Sequence, residues 1–233
     1  MKTNKRIYLA SPHMMGNELK YVKDAFDTNW IAPLGPYVNK LEEDFKTYMG
    51  LPGATALASG TAALHLAIKL AGVKEGDYVF CSSLTFSASA NPIVYENAIP
   101  VFIDSEPGSY NMSPEALEKA FEKYTPKAVV IVSLYGMPAT MDKLIKICKK
   151  HKVTIIEDAA ESLGATYKGR LVGTFGDYNV ISFNGNKIIT TSGGGMLLTK
   201  KEKDAKKALF WATQAREPAR YYQHQDIGSN YRM

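Results

Sequence analysis

One lysine lies in a setting that suits covalent chemistry. Lys187 follows the turn-forming residues 184–186 and precedes the apolar pair 188–189. This setting can hold a partly desolvated amine, and desolvation frees a lysine amine to attack a carbonyl carbon. For a single lysine, the alternative interpretation is an ordinary surface charge.

An aspartate at the end of a predicted buried strand is the second candidate. Asp158 directly follows the mostly apolar residues 153–157. A carboxylate in this position is costly to bury unless a cation or several hydrogen-bond donors satisfy it. A protonated pyridine nitrogen would be such a cation, and the aspartate would make that ring a better electron sink. The alternative is an aspartate that only caps a turn.

Two glycine-containing turns are candidates for phosphate binding. Residues 59–64 (SGTAAL) form a small turn that leads into a predicted helix, where free backbone N–H groups and the helix dipole favour an anion. A simple helix cap is the alternative. Residues 193–195 are three glycines, but a strand follows them rather than a helix. They therefore lack the context of a dinucleotide site, and this argues against a nicotinamide-linked dehydrogenase.

Helix and strand signals alternate along the chain, which predicts one continuous α/β domain. In such folds ligands bind outside the carboxyl ends of the strands, where the candidates fall. A first helix over 16–29 places Leu19, Val22, Phe26 and Trp30 on one stripe. The other predicted helices cover 61–71, 140–151 and 201–214, and one begins at Ser113. The predicted strands cover 78–84, 100–104, 128–134, 153–157, 179–183 and 195–199.

Composition restricts the environment of the protein. Of the 233 residues, 45% are hydrophobic and 22% are charged, as in ordinary globular proteins. Cys81 and Cys148 lack a metal or redox spacing, which favours a reducing compartment and no metal site. The apolar run 7–10 is too short for a secretion signal. No apolar stretch reaches the roughly 20 residues of a membrane span. We therefore expect a cytoplasmic protein without a membrane segment.

The net charge of +5 carries little functional information. Much of the excess lies in residues 143–152 and 200–207, which are typical of solvated helix faces. A nucleic-acid-binding protein would contain a recognisable reading module, and none is visible. We expect no nucleic-acid partner, although a positive field also helps to hold ligands that carry phosphate.

Taken together, these motifs resemble the DegT/DnrJ/StrS family of sugar aminotransferases, which depend on pyridoxal 5′-phosphate (PLP). The resemblance runs from about residue 7 to residue 233, and four segments carry it: 59–64, 157–162 (EDAAES), 182–187 (SFNGNK) and 228–233 (GSNYRM). It implies the large PLP-binding domain of the aspartate-aminotransferase (fold type I) superfamily. That domain has a mostly parallel mixed sheet flanked by helices, and a helical arm over about residues 1–50.

The resemblance also implies roles for individual residues. Lys187 matches the lysine that carries PLP as a Schiff base, and Asp158 matches the partner of the pyridine nitrogen. Phe86 matches the aromatic residue that stacks on the ring, although a core phenylalanine is the alternative. Glu161 stands where the family often has glutamine, near the 3-hydroxyl of the cofactor, so this position departs from the usual pattern.

Other matching residues concern the cofactor phosphate. Gly60, Thr61 and Ser182 match phosphate contacts. Asn230 matches a residue that, in relatives, reaches the phosphate in the neighbouring subunit. This implies a homodimer with shared active sites, whereas the alternative is that Asn230 only turns the chain.

The activity implied is transfer of an amino group from an amino-acid donor, with glutamate expected, to a nucleotide-linked keto-sugar. Related dehydratases carry histidine at the position of Lys187, so the lysine favours transamination. Family members usually continue past 228–233 into a smaller C-terminal domain, which we expect to be absent because the sequence stops at Met233. The alternatives are a non-catalytic PLP-binding homologue and an aminotransferase of another ketone, such as a cyclitol.

Overall fold

A computed structural model describes Arg6, Tyr8 and residues 11–233. The short apolar run 7–10, which is too short for a secretion signal, lies largely outside these residues. The first residues of the predicted helical arm lie outside them as well. Among the described residues, no helix combines the length and the apolar character needed to cross a membrane.

Seven strands form one sheet in the order β1-β9-β8-β5-β4-β2-β3. Only β9 is antiparallel to its neighbours, so the other six run in one direction. The predicted α/β class with a mostly parallel mixed sheet is confirmed. The strands are β1 (Gly53–Leu57), β2 (Tyr78–Ser82), β3 (Ile99–Ile103), β4 (Pro126–Val132), β5 (Thr154–Asp158), β8 (Tyr178–Ser182) and β9 (Gly195–Thr199), with a separate hairpin of β6 (Thr166–Tyr167) and β7 (Arg170–Leu171).

Helices cover both faces of the sheet and bury two apolar clusters. One cluster joins Phe80, Ile131 and Ile155 to residues of α2, α5 and α6, and the other joins Val79, Val130 and Ile156 to residues of α3, α4 and α7. Successive strand residues alternate between the faces, which is why Ile155 and Ile156 belong to different clusters. The helices are α1 (Glu18–Asp27), α2 (Pro36–Met49), α3 (Gly60–Leu70), α4 (Asn91–Tyr95), α5 (Pro114–Phe121), α6 (Met141–Lys150) and α7 (Glu202–Ala212).

The first helix forms as predicted, but the apolar stripe on it is not covered. Leu19 is 78% exposed and Phe26 is 67% exposed, and α1 has no buried residue. The following helix, α2, instead packs this part of the chain onto the domain: Met49 is buried, and Phe45 packs against the first cluster. The described residues of this region thus contain the helices α1 and α2, and the apolar stripe of α1 is exposed.

One edge of the sheet collects the candidate residues. β1 leads through Ser59 into α3, β5 ends at Asp158, and β8 ends at Ser182. Because β9 runs in the opposite direction, its first residue, Gly195, pairs with both Ser182 and Leu57 at this same edge. The carboxyl ends of the parallel strands thus form the floor of the candidate site.

Candidate active site

A cavity of about 500 Å³ opens at this edge of the sheet. It contains every predicted site residue except Asn230, although these residues come from four separate segments of the chain. The predicted residues that line it are Gly60, Thr61, Phe86, Asp158, Glu161, Ser182 and Lys187.

The turn between β1 and α3 forms one wall. The Ser59 hydroxyl accepts a hydrogen bond from the Ala62 amide at 3.0 Å, so Ser59 caps the helix as the alternative interpretation had it. Gly60 and Thr61 occupy the first two helical positions, where amides have no partner within a helix. A Cβ atom on Gly60 would lie 2.9 Å from the Ser182 Cβ, so glycine allows these two segments to approach closely. The wall suits an anion such as phosphate.

Asp158 is 5% exposed at the base of the cavity. Its Oδ2 accepts a hydrogen bond from the Ser89 hydroxyl at 2.7 Å, and its Oδ1 accepts one from the Ala160 amide at 3.1 Å. Burial is the dominant effect and raises the pKa of Asp158, while these bonds and the positive charge of Lys187 act in the opposite direction. The hydrogen bonds and Lys187 therefore do not fully offset the cost of burying the ionised carboxylate, and a cation placed in the cavity would stabilise it.

Lys187 reaches the cavity from the loop that follows β8. Its side chain is only 12% exposed, and its Nζ donates to Glu161 Oε1 at 3.2 Å. Glu161 Oε2 accepts a second hydrogen bond from the Tyr135 amide at 2.8 Å. Glu161 thus connects the loops after β4, β5 and β8, and it holds a partly desolvated amine inside the cavity.

Phe86 and Asn230 are the two most exposed candidates. Phe86 lines the cavity and is 70% exposed, so it is not a core residue. Asn230 is exposed outside the cavity, and its backbone bridges to Thr213. The next residue, Tyr231, accepts a hydrogen bond on its carbonyl oxygen from the Ala58 amide at 2.7 Å. The segment of Asn230 is therefore tied to the turn that precedes α3.

Two contacts of the site were not predicted from the sequence. Ser89, which holds Asp158, lies in a 3-10 turn after β2 and also contacts the Thr85 hydroxyl at 2.8 Å. Tyr135, which holds Glu161, has a left-handed backbone with φ of 50°. The spacing Thr85–Ser89 is a weak signal of a local turn, but nothing in the sequence points Ser89 towards Asp158. Within residues 11–233, Arg6 and Tyr8, no group of three His, Cys, Asp or Glu side chains is arranged for a metal ion.

Known protein families include one that matches nearly the whole chain. Residues 12–233 match the DegT/DnrJ/EryC1/StrS aminotransferase family. The chain belongs to this family. The resemblance inferred from the four motifs is thereby confirmed over nearly the whole sequence.

Relatives within the family include two bacterial proteins. A Bacillus subtilis protein, EpsN, is named as a PLP-dependent aminotransferase and is 58% identical over 99% of this chain and 61% of its own length. The GDP-perosamine synthase of Caulobacter vibrioides is 42% identical over 98% of this chain and 61% of its own length. The chain thus spans about three fifths of these relatives.

A solved structure supports the same assignment. Spr1654 from Streptococcus pneumoniae, named as a sugar aminotransferase and solved in its PLP form, superposes with a TM-score of 0.89 at 26% identity. The match covers 98% of this chain and 63% of the other. Aminotransferases of the DegT/DnrJ/EryC1/StrS family are PLP-dependent, so the cofactor and the fold expected from the sequence are confirmed at the level of the family.

Proposed function

We propose that this chain is the cofactor-binding part of an aminotransferase that moves an amino group from glutamate to a nucleotide-linked keto-sugar. The observation that carries the proposal is the placement of the Lys187 amine and the buried Asp158 carboxylate in one cavity, beside the amino end of α3. The sugar acceptor is supported by the 42% identity to a GDP-perosamine synthase.

The chemistry of the cavity suits PLP. The amides of Gly60 and Thr61 and the hydroxyl of Ser182 would hold its phosphate, because they combine free donors with a helix dipole. Asp158 would hold the pyridine nitrogen in its protonated form, and Phe86 would cover one face of the ring. When bound, the cofactor supplies an electron sink for the negative charge that develops on the α-carbon of the donor.

The protein side of the reaction would rest on Lys187. Its Nζ would anchor the cofactor covalently and be released when an amino donor takes its place. The freed amine would then remove the proton from the α-carbon of the donor and return a proton on the cofactor side, as general base and then general acid. Asp158 would keep its counter-charge at the ring nitrogen throughout.

The environment and partners follow from the same proposal. We place Asn230 at the phosphate of a neighbouring subunit, in a homodimer with shared sites. Asn230 is exposed, and the next residue, Tyr231, contacts residues 58–61 between β1 and α3, which we call the phosphate turn. A cytoplasmic location is supported by Cys81 and Cys148, which are both buried and free.

The first experiment is a PLP titration of the purified chain, followed by borohydride reduction and peptide mapping. We expect a new absorption band and reduced label on the peptide that contains Lys187. A second assay supplies glutamate and a panel of GDP- and dTDP-linked keto-sugars, with a keto-cyclitol as comparison.

The two assays separate the possible functions. Amination of a nucleotide sugar in preference to the cyclitol is the expected result. A labelled protein that aminates no acceptor would support a non-catalytic PLP-binding homologue, and preference for the cyclitol would support the other ketone class. An unlabelled Lys187 would contradict the assignment of the anchor.

A Glu161→Gln substitution tests the departure from the usual family residue. The carboxylate lies 3.2 Å from the Lys187 amine, and both side chains are mostly buried, so the amine must leave this ion pair before it can attack an aldehyde. Loss of roughly 1 kcal/mol of ion pairing corresponds to about fivefold easier release of the amine from this contact. We expect stopped-flow absorbance to show about fivefold faster covalent capture of PLP by the variant at pH 7.

The control for Glu161→Gln is Glu43→Gln. Glu43 makes a surface ion pair with Lys46 on α2, so this change removes the same formal charge away from the cavity. We expect it to leave the capture rate unchanged. Equal capture rates at pH 7 would show that Glu161 does not restrain the amine.

A further inference from the structure

We infer that His65 is a positioning residue that couples the first turn of α3 to the segment 228–233, and that it thereby sets the affinity for the cofactor phosphate. Only the consequence for the cofactor rests on the proposed function. The coupling itself is a property of the chain.

His65 uses both of its ring nitrogens. Its Nδ1 lies 3.0 Å from the Tyr231 hydroxyl, and its Nε2 lies 2.8 Å from Glu96 Oε1. The side chains of His65 and Glu96 are 14% and 23% exposed, so these bonds are largely shielded from water. The ring of Tyr95 also packs edge-on against the imidazole, with 5.4 Å between ring centroids. The imidazole is therefore held in one orientation.

The partners assign the proton on the neutral ring. An ionised Glu96 can only accept, so Nε2 carries the hydrogen and Nδ1 accepts from the Tyr231 hydroxyl. Both ring nitrogens are thus used at once, and the imidazole bridges Tyr231 and Glu96.

One end of the bridge is Tyr231. Its carbonyl oxygen accepts from the Ala58 amide at 2.7 Å, and its own amide donates to the Ala212 carbonyl at 2.9 Å. Ala58 lines the cavity next to the phosphate turn, and Asn230 is the residue before Tyr231. The ring of Tyr231 therefore fixes the segment that we assign to the phosphate of the neighbouring subunit.

The other end of the bridge is Glu96, which directly follows α4. That helix begins at Asn91, two residues after Ser89, the hydroxyl that holds Asp158. His65 itself lies one turn beyond Thr61 on α3, so a single imidazole joins the phosphate turn, the segment 228–233 and the support of Asp158. Loss of the His65 hydrogen bonds should therefore increase the mobility of the residues assigned to the phosphate, although none of those residues is itself removed.

The test begins with hydrogen–deuterium exchange on the full chain without cofactor. We expect His65→Leu to raise amide exchange roughly tenfold in peptides covering residues 57–62 and 228–233. Tyr231→Phe, which keeps the ring but removes the hydroxyl, should do the same. If the two side chains act as one unit, the double variant His65→Leu/Tyr231→Phe should show amide exchange no faster than either single variant.

Two conservative variants separate positioning from general packing. The amide of His65→Asn can replace Nδ1 and keep the Tyr231 bond, whereas the amide of His65→Gln can replace Nε2 and keep the Glu96 bond. We expect the asparagine variant to restore slow exchange to within about twofold, and the glutamine variant to remain fast. In PLP titrations the dissociation constant should rise about tenfold for the leucine and glutamine variants only.

The outcomes bear separately on the two proposals. The positioning role would be overturned if His65→Leu left amide exchange in residues 57–62 unchanged. It would also be overturned if the asparagine and glutamine variants raised amide exchange equally. A positioning effect on exchange in a protein that binds no PLP would leave His65 as the coupling residue and contradict the proposed function. Unchanged PLP affinity together with faster exchange would contradict the inferred effect on the phosphate site.

Discussion

Replacing Lys187 by alanine is expected to abolish covalent PLP capture and to lower the turnover number for transamination by roughly 10³-fold or more. A general acid–base group typically contributes 10²- to 10⁴-fold, and the covalent anchor is lost as well. Among the described residues that line the cavity, Lys187 is the only lysine, so no second amine is placed to substitute for it. Absorbance, borohydride labelling and a single-turnover assay with glutamate measure these losses.

A second lysine variant controls for the loss of charge. Lys203 lies exposed on α7, so Lys203→Ala should leave PLP capture and turnover unchanged. In Lys187→Ala the phosphate turn and Asp158 are untouched, and reversible PLP binding should therefore persist with weaker affinity. Cofactor cycling at the unmodified rate in Lys187→Ala would show that the assigned anchor is wrong.

The strands predicted from the sequence are those with strong apolar signals. The predicted strands 128–134 and 195–199 correspond to β4 and β9, because continuous apolar runs mark strands that are covered on both faces. β1 was not predicted, although all five of its residues are buried. Its small residues carry little strand propensity. They are needed because β1 lies against α7, where a Cβ atom on Gly53 would reach 3.0 Å from the Ala205 Cβ.

The neighbouring carboxylates Glu157 and Asp158 show how far the site could be predicted. Adjacent strand residues point to opposite faces, so only one of them can enter the cavity. Asp158 does so, while Glu157 is fully buried and accepts hydrogen bonds from the amides of Gly173, Phe175 and Gly176. The motif singled out Asp158, which does line the cavity. The contacts of Glu157 depend on a loop that begins about 16 residues later, and no local sequence pattern specifies them.

Long-range contacts explain what sequence patterns missed. The hydroxyl of Ser89 reaches Asp158 across 69 positions of the chain, and the ring of His65 reaches Tyr231 across 166. Both depend on which strands are neighbours, and periodicity reports only on the exposure of a local face. The stripe on α1 illustrates the same limit, because its pattern predicts a helix but does not show that Leu19 and Phe26 are exposed in this chain.

Replacing Asp158 by asparagine is expected to stabilise the cofactor-free protein while it lowers turnover by at least about 100-fold. The catalytic loss follows because an amide cannot provide the counter-charge for the ring nitrogen, and a single preorganised electrostatic group is typically worth 10²- to 10³-fold. The stability gain follows because the change removes a buried charge and keeps the hydrogen bonds. The amide oxygen can accept from Ala160, and the amide nitrogen can donate to Ser89, whose hydroxyl can turn to Thr85.

The stability gain has a defined pH dependence. Burial raises the pKa of Asp158 above that of an unfolded aspartate, about 3.9, so the folded state binds the proton more tightly. Below that value both proteins carry a neutral group at this position, and their melting temperatures should be similar. As the pH rises through the raised pKa, the unmodified protein alone acquires a buried charge and loses stability relative to the variant. Above the raised pKa, a gap of about 1 kcal/mol would shift the melting temperature by about 2–4 °C.

Differential scanning calorimetry of the cofactor-free proteins between about pH 3 and pH 8, combined with turnover assays, distinguishes this view from a purely structural role. Asp44→Asn is the matched control, since Asp44 lies exposed on α2 and pairs with Lys40. It should change neither turnover nor the pH dependence of melting. A lower melting temperature for Asp158→Asn at every pH, with PLP affinity and turnover reduced equally, would mean that Asp158 only supports the fold. A higher melting temperature together with a lower turnover number would instead show that the carboxylate is retained for its charge. That charge lowers the stability of the cofactor-free protein, and a cation in the cavity would offset the loss.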